Sequence, residues 1–158
     1  MRFMALALEK AREKGTDPAC QPIGAVIVKD GEVIAAAHNA VDAMKDATAH
    51  AEICAIREAG AATGDAELDG STLYSTLQPC GMCTMASIWA GVNRIVFGAG
   101  QEQVHEMYFE DRQLGTFDYI RDAYKDDLSI EGGVMADECA TLYYGPDDDP
   151  PEDVQGNK

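Results

Sequence analysis

The chain has 158 residues, of which 46% are hydrophobic and 25% are charged. This composition supplies one hydrophobic core and argues against a wholly disordered chain, and the length fits one domain. Asp and Glu outnumber Lys and Arg by 28 to 12, a formal net charge of −16, which argues against the broad basic surface of a nucleic-acid-binding protein.

The N-terminal region predicts a helix followed by a β-hairpin. Residues 3–14 carry apolar side chains at helical spacing, which predicts an α-helix. Two apolar runs, 23–28 and 33–37, then flank Asp30-Gly31. Because Asp-Gly between apolar runs is a strong signal for a tight hairpin turn, we expect two antiparallel strands here.

The middle of the chain predicts a helix and a strand. Asp46 or Thr48 can cap a helix over about 49–59, which Gly60 would close. Residues 71–76 read as a third strand after a loop.

Beyond this strand, Pro79 stands where a helix begins most readily, and we predict a helix over about 81–90. A fourth strand follows at 94–98. The pattern is weaker after Gly100, although three further elements are predicted there: a helix at 117–125, a short strand at 128–130 and a last helix at 134–144. This order of elements predicts an α/β fold with one mixed sheet covered by helices.

The acidic charge has two parts. Residues 146–158 contain five acids, one lysine and three prolines, so we expect one folded domain over 1–145 and an acidic, flexible tail over 146–158. The remainder still carries 23 acids against 11 bases. This excess of acids fits an ordinary acidic cytosolic protein or, as we favour, a halophilic protein adapted to high salt.

No secretory or membrane-spanning segment is visible, since the apolar stretch Met4 to Leu8 is closed by charged residues. Five cysteines are an odd number in a chain too large to need disulfides for stability. We therefore expect a cytoplasmic protein in which at least one cysteine pair has another purpose.

Two motifs supply that purpose: His50-Ala51-Glu52 and Pro79-Cys80-Gly81-Met82-Cys83, each at the start of a predicted helix. One imidazole and two thiolates form a tetrahedral zinc set with the fourth position open for water, typical of a catalytic site. We predict that His50, Cys80 and Cys83 bind Zn²⁺. The positive end of each helix dipole would stabilise the thiolates.

Glu52 lies two residues after His50, so its carboxylate can reach the same pocket without binding the metal. This position suits a proton shuttle. Glu52 would take a proton from an attacking water and deliver protons to a ring nitrogen and to a departing amine. The products would be a carbonyl compound and ammonia.

These motifs, with the order of elements, resemble the cytidine deaminase-like superfamily of zinc-dependent deaminases, whose signature is His-x-Glu with Pro-Cys-x-x-Cys. The resemblance runs from about Met4 to Gly98, through 23–26, 47–53 and 73–83. It implies a three-layer α/β/α sandwich around a mixed sheet of about five strands. It also implies a Zn²⁺ cofactor, Glu52 as the catalytic residue, and a homodimer or higher homo-oligomer.

The resemblance further implies contacts to the substrate. Asn39 follows the second predicted strand, where similar enzymes place an Asn that touches substrate. The backbone N–H of Ala51 occupies a position that commonly contacts the base. The alternative for Asn39 is ordinary turn chemistry.

Within the superfamily, the chain resembles the branch of guanine deaminases, tRNA adenosine deaminases and fungal-type cytosine deaminases. Residues 134–140 are similar to the C-terminal helix of tRNA adenosine deaminases. Phe109-Glu110-Asp111 instead resembles the Phe-Asp-Asp of guanine deaminases, where an acid reads the purine. Residues 76–77 and 83–84 are similar to fungal cytosine deaminases.

The acidic charge decides our preference among these branches. A tRNA substrate needs phosphate contacts, which this composition offers sparsely, whereas a carboxylate such as Asp111 is a good acceptor for guanine. We therefore predict a free nucleobase or nucleoside substrate, guanine first. The alternatives are tRNA adenosine deamination, cytosine or cytidine deamination and, without enzyme activity, a zinc-stabilised interaction domain.

Overall fold

The computed structural model describes residues 1–109 and 128–151. Helix α1 covers Arg2–Lys14, as predicted. Its apolar side chains recur every three or four residues, so that one face of the helix is buried against the sheet while charged residues remain outside. The buried residues of this face are Met4, Ala7, Leu8 and Ala11.

The predicted hairpin is confirmed. Strands β1 (Gly24–Lys29) and β2 (Glu32–His38) pair antiparallel. Asp30 and Gly31 connect them with φ angles of 53° and 79°. Such two-residue turns require the left-handed region at both positions, which Gly adopts without steric cost and Asp tolerates better than most residues.

Three further strands complete the described sheet: β3 (Ser71–Leu77), β4 (Arg94–Ala99) and β5 (Ser129–Glu131). The strand order is β2-β1-β3-β4-β5. β1 lies antiparallel to β3, whereas β3, β4 and β5 run parallel to one another. The sheet is therefore mixed, as predicted, and the parallel pairs need crossover connections on its faces.

Helices cover both faces of this sheet. Helix α2 (Val41–Met44) is a single turn, and α3 (Ala51–Thr63) packs on β1 and β2 and contacts α4 (Gly81–Trp89). Helix α1 and the short helix α5 (Ala136–Ala140) form the other layer. They are linked by an exposed ion pair between Arg12 and Glu138, 3.3 Å apart. The result is the three-layer arrangement that was expected.

The ends of α3 differ from the prediction. His50 occupies the N-cap position, not Asp46 or Thr48. The Asp46 carboxylate instead accepts a hydrogen bond from the Thr48 backbone N–H, 2.8 Å away, inside the preceding loop. The helix also continues through Gly60 and ends before Gly64, whose φ of 72° terminates it.

The last predicted helix is shorter than expected. It covers Ala136–Ala140 rather than 134–144, because Met135 adopts a left-handed φ of 56° and cannot belong to a helix. The helix predicted at 117–125 lies outside the described residues. Within the described part of the chain, no helix combines the length and apolar character needed to cross a bilayer.

Two glycines allow the outer helices to approach the sheet closely. A Cβ atom on Gly24 would lie 2.1 Å from the Ala7 carbonyl oxygen of α1, and one on Gly98 would lie 2.1 Å from Cys139 Sγ of α5. Both distances are far inside van der Waals contact. Glycine at these two positions therefore sets how closely α1 and α5 pack on the sheet.

Candidate metal centre and active site

The structure brings the three predicted metal ligands together. His50 immediately precedes α3, Cys80 immediately precedes α4, and Cys83 lies in the first turn of α4. The Nδ1 atom of His50 is 3.7 Å from Cys80 Sγ and 3.6 Å from Cys83 Sγ. All three donor atoms lie within 4.8 Å of one another.

These distances fit zinc. Zinc–sulfur bonds of about 2.3 Å and zinc–nitrogen bonds of about 2.1 Å, at tetrahedral angles, place nitrogen and sulfur about 3.6 Å apart. The observed separations of 3.6 and 3.7 Å match this edge. One imidazole and two thiols form a catalytic rather than a closed structural donor set, because one tetrahedral position is left over.

The local fold explains why two of the ligands lie at helix N-termini. His50 and Cys80 have extended backbones, with ψ angles of 156° and 172°, and each is the N-cap of the following helix. The first turn of each helix leaves backbone N–H groups without intrahelical partners, and the Cys83 N–H hydrogen-bonds to the Cys80 thiol. The positive ends of two helices thus favour negative charge here.

The thiols are strongly coupled. The hydrogen bond between the two thiols is the largest cause that lowers the pKa of Cys80, which falls to about 4 despite burial. The same contact raises the pKa of Cys83 well above its usual range. One thiolate is thus already favoured in the protein, as a metal ligand requires.

Glu52 lies beside this centre and is 3% exposed. Its Oε2 atom is 3.5 Å from Cys83 Sγ, and its Oε1 atom accepts a hydrogen bond from the Ser75 hydroxyl at 3.1 Å. Burial raises the pKa of the Glu52 carboxyl, while nearby His50 opposes the rise. A buried carboxyl with a raised pKa holds a proton more readily than an exposed one, which suits a group that must both accept and donate a proton.

The predicted substrate contacts have different outcomes. Asn39 is buried, and its amide accepts a hydrogen bond from the Val41 N–H at 3.2 Å and lies 3.4 Å from Gln21 oxygens. The Val41 contact is turn chemistry, the Gln21 contacts join Asn39 to the loop before β1, and a role toward substrate stays a prediction. Ala51 opens α3, so its N–H is among the donors without an intrahelical partner. Asp111 lies outside the described residues.

Sequence reasoning gave no role to Ser75, which proves to be the hydrogen-bond partner of Glu52. The signal was present, because two adjacent hydroxyl side chains, Ser75 and Thr76, lie near the end of β3, shortly before the metal ligand Cys80. Strand alternation sends them to opposite faces of the sheet. Thr76 accordingly contacts the Tyr143 hydroxyl at 2.6 Å, on the other side from Glu52.

Comparison with known families decides the assignment. The model of the cytidine and deoxycytidylate deaminase zinc-binding region matches residues 1–99. The chain belongs to this family. Within it, His50, Cys80 and Cys83 form a zinc site of the type that the family shares. The predicted zinc cofactor and the family-level recognition of a zinc-dependent deaminase are thereby confirmed.

Individual relatives of the chain indicate more specific similarities within the family. It is 44% identical over 100 residues to the tRNA-specific adenosine deaminase of Aquifex aeolicus (strain VF5). That match covers 61% of this chain and 64% of the relative. The chain thus spans slightly less than two thirds of the relative's length.

Solved structures confirm the α/β cytidine deaminase-like fold. A structure from studies of A-to-I editing by tRNA:A34 deaminases has a TM-score of 0.72 and 36% identity, covering 89% of this chain and 98% of that one. The guanine deaminase from Nitrosomonas europaea has a TM-score of 0.74 and 26% identity, covering 89% and 80%. Similarity in sequence therefore favours the tRNA enzymes, whereas similarity in fold does not separate the two.

Proposed function

We propose that this protein is a zinc-dependent hydrolytic deaminase that converts adenosine to inosine in tRNA. Deamination is supported chiefly by the placement of buried Glu52 next to the three-ligand zinc site. The substrate class is supported by the 44% and 36% identity to tRNA adenosine deaminases. This proposal replaces the guanine preference predicted from charge.

The residues of the site have separate tasks in this proposal. When bound by His50, Cys80 and Cys83, zinc would activate a water molecule as a nucleophile. The Glu52 carboxylate accepts a proton from that water and donates it to the adenine ring nitrogen. It then carries the second proton to the departing amino group, so the carbon exchanges nitrogen for oxygen and ammonia leaves. In this proposal the N–H of Ala51, at the start of α3, donates to the base.

The acidic surface is the main physical objection to an RNA substrate. Several basic side chains are already paired: Lys10 with Glu13, Lys14 with Asp42 and Arg57 with Asp46. Such pairs leave less positive charge for phosphates, which normally supply much of RNA affinity. We therefore expect recognition to depend on the exposed bases and sugars of an RNA loop, whose unstacked bases proteins read directly.

A substrate panel tests the proposal. An anticodon stem-loop with adenosine at the wobble position would be incubated with zinc-loaded protein at low and at molar salt, alongside guanine, guanosine, adenosine, cytosine and cytidine. Inosine in the RNA and released ammonia would be measured. The same stem-loop with guanosine at the wobble position is the matched control.

We expect inosine in the adenosine stem-loop and no ammonia from the control RNA. Ammonia from guanine or cytosine, with unreacted RNA, would overturn the tRNA assignment and favour one of the small-substrate alternatives. Protein that retains zinc yet releases ammonia from no substrate would favour the interaction-domain alternative.

A further inference from the structure

The Glu52 carboxylate has a different neighbour at each of its oxygens. Ser75 is fully buried, and its hydroxyl donates to Glu52 Oε1 at 3.1 Å. The other oxygen, Oε2, lies 3.5 Å from Cys83 Sγ. A bond to one oxygen of a planar carboxylate fixes its rotation, so the second oxygen faces the metal ligands.

We propose that Ser75 is a positioning residue for deamination: it holds the Glu52 carboxylate in the orientation needed for proton transfer. The inference rests on the proposed deaminase function of the same site. Ser75 touches neither substrate nor metal in this role and acts through Glu52. Proton transfer requires the accepting oxygen within about 2.6–3.2 Å of the proton donor, so a rotated carboxylate loses rate even when it stays in the pocket.

The backbone around Ser75 suits this role. Ser75 lies inside β3, opposite Ala25 of β1 and Phe97 of β4, so hydrogen-bonded strands flank it on both sides. A donor on a central strand is held more precisely than one on a loop. β3 ends at Leu77, and Cys80 follows shortly after it as the N-cap of α4, so the donor and a metal ligand lie close together along the chain.

In the part of the chain that the structure describes, the Ser75 side chain has no competing hydrogen-bond partner. The described hydrogen bond of the Ser75 hydroxyl joins it to Glu52, whereas the next residue, Thr76, bonds Tyr143 and accepts from the Gly24 N–H on the opposite face. The two neighbouring hydroxyls therefore separate positioning of the catalytic group from cohesion of the fold. Thr76 supplies a matched control for any change at Ser75.

The test compares Ser75→Thr with Ser75→Val, which have nearly the same shape and differ in the hydroxyl. Zinc content, kcat, KM and melting temperature would be measured for each, together with Thr76→Val. We expect Ser75→Val to keep its zinc and its KM within about twofold but to lose about 10- to 100-fold in kcat. Ser75→Thr should restore most of that loss, and Thr76→Val should lower melting temperature without changing kcat.

Equal kcat in Ser75→Thr and Ser75→Val would overturn the proposal, as would a loss of rate that follows loss of zinc. If added bulk prevents folding of both variants, Ser75→Ala adds none and must show the same loss of kcat with zinc retained.

A second readout does not need turnover. The Glu52 carboxylate band in infrared spectra, identified by its disappearance in Glu52→Gln, should shift in Ser75→Val and Ser75→Ala but not in Thr76→Val. An unshifted band would overturn the role of Ser75. If the parent protein turns over no substrate, the proposed function fails, and this band alone decides whether Ser75 holds Glu52.

Discussion

The two faces of the sheet carry different kinds of polar group. On the face covered by α3 and α4, a carboxyl, an imidazole and two thiols converge on one point; Glu52 and Cys83 are buried, and His50 and Cys80 are half-buried. On the face covered by α1 and α5, the corresponding group is a pair of neutral hydroxyls, Thr76 and Tyr143. Adjacent residues of β3, Ser75 and Thr76, serve one face each.

This difference separates reactivity from stability. A desolvated carboxyl such as Glu52 costs folding free energy and is tolerated where chemistry needs it. The interior of the opposite face has satisfied hydroxyls and close glycine contacts, and the ion pair of its helices, Arg12 with Glu138, is exposed. Changes on the first face should therefore alter activity, and changes on the second should alter the free energy of unfolding.

The largest expected effect is on the catalytic face. Glu52→Gln keeps the shape of the side chain but removes the proton acceptor, so we expect kcat to fall by about 10²- to 10⁴-fold. Because a buried carboxyl becomes a neutral amide, melting temperature should stay equal or rise. Calorimetry and zinc analysis would accompany the rate measurement. A variant that melts earlier yet retains full activity would break the proposed division between the faces.

The next effect belongs to the opposite face. Gly24→Ala would place a Cβ atom 2.1 Å from the Ala7 carbonyl oxygen, and relieving this overlap by moving α1 should cost about 1–3 kcal/mol in the free energy of unfolding. Urea denaturation measures this cost, while kcat of the folded protein should change little. Gly60→Ala is the control, since its Cβ would lie 3.2 Å from the Asp65 oxygen and Ala also favours the helix.

The sequence predicted those features that depend on residues close together along the chain. The Asp30-Gly31 turn and the two metal motifs are encoded within a few residues, and the structure has the hairpin and ligand cluster where they were predicted. The predicted N-cap residue of α3 was wrong. Asp46 accepts a hydrogen bond from Thr48 within the preceding loop, and the metal ligand His50 occupies the N-cap position instead. Local competition of this kind has no signature in residue type alone.

Longer-range features could not be predicted. The Thr76–Tyr143 contact joins residues 67 positions apart, and it arises because α5 packs beside β3 and β4, which no local pattern encodes. The similarities to relatives do not favour the guanine preference drawn from charge, and the reason is related. Net charge is a sum over the whole surface, whereas recognition depends on a few groups around one pocket.

The Thr76–Tyr143 pair provides a smaller test of the stabilising face. Thr76→Val leaves both the Tyr143 hydroxyl and the Gly24 N–H without this partner, whereas Tyr143→Phe removes one contact and leaves the other. We expect losses of about 1–3 kcal/mol in each case, larger for Thr76→Val. A double-mutant cycle by urea denaturation gives the coupling. Additive losses would show that the two hydroxyls do not act together.

The smallest effect concerns alkaline pH and sharpens the comparison further. Tyr108 packs edge-on against Tyr143, with ring centroids 5.2 Å apart, and burial raises the pKa of Tyr108 to about 12. Burial also raises the pKa of Tyr143 well above its usual range. Below about pH 9 both tyrosines hold their protons whether the chain is folded or not, so they add no pH dependence.

Between about pH 10 and 12 the unfolded chain releases these protons while the folded chain keeps them, so the free energy of unfolding should fall as pH rises, by at most about 1.4 kcal/mol per pH unit for each tyrosine. Urea denaturation at intervals from pH 8 to 11.5 measures the slope. Tyr108→Phe should flatten the slope above pH 10 and leave it unchanged below pH 9, where other groups dominate. An unchanged alkaline slope in this variant would mean that Tyr108 releases its proton as readily in the folded chain as in the unfolded chain. Water would then reach this side of the molecule more easily than its packing indicates.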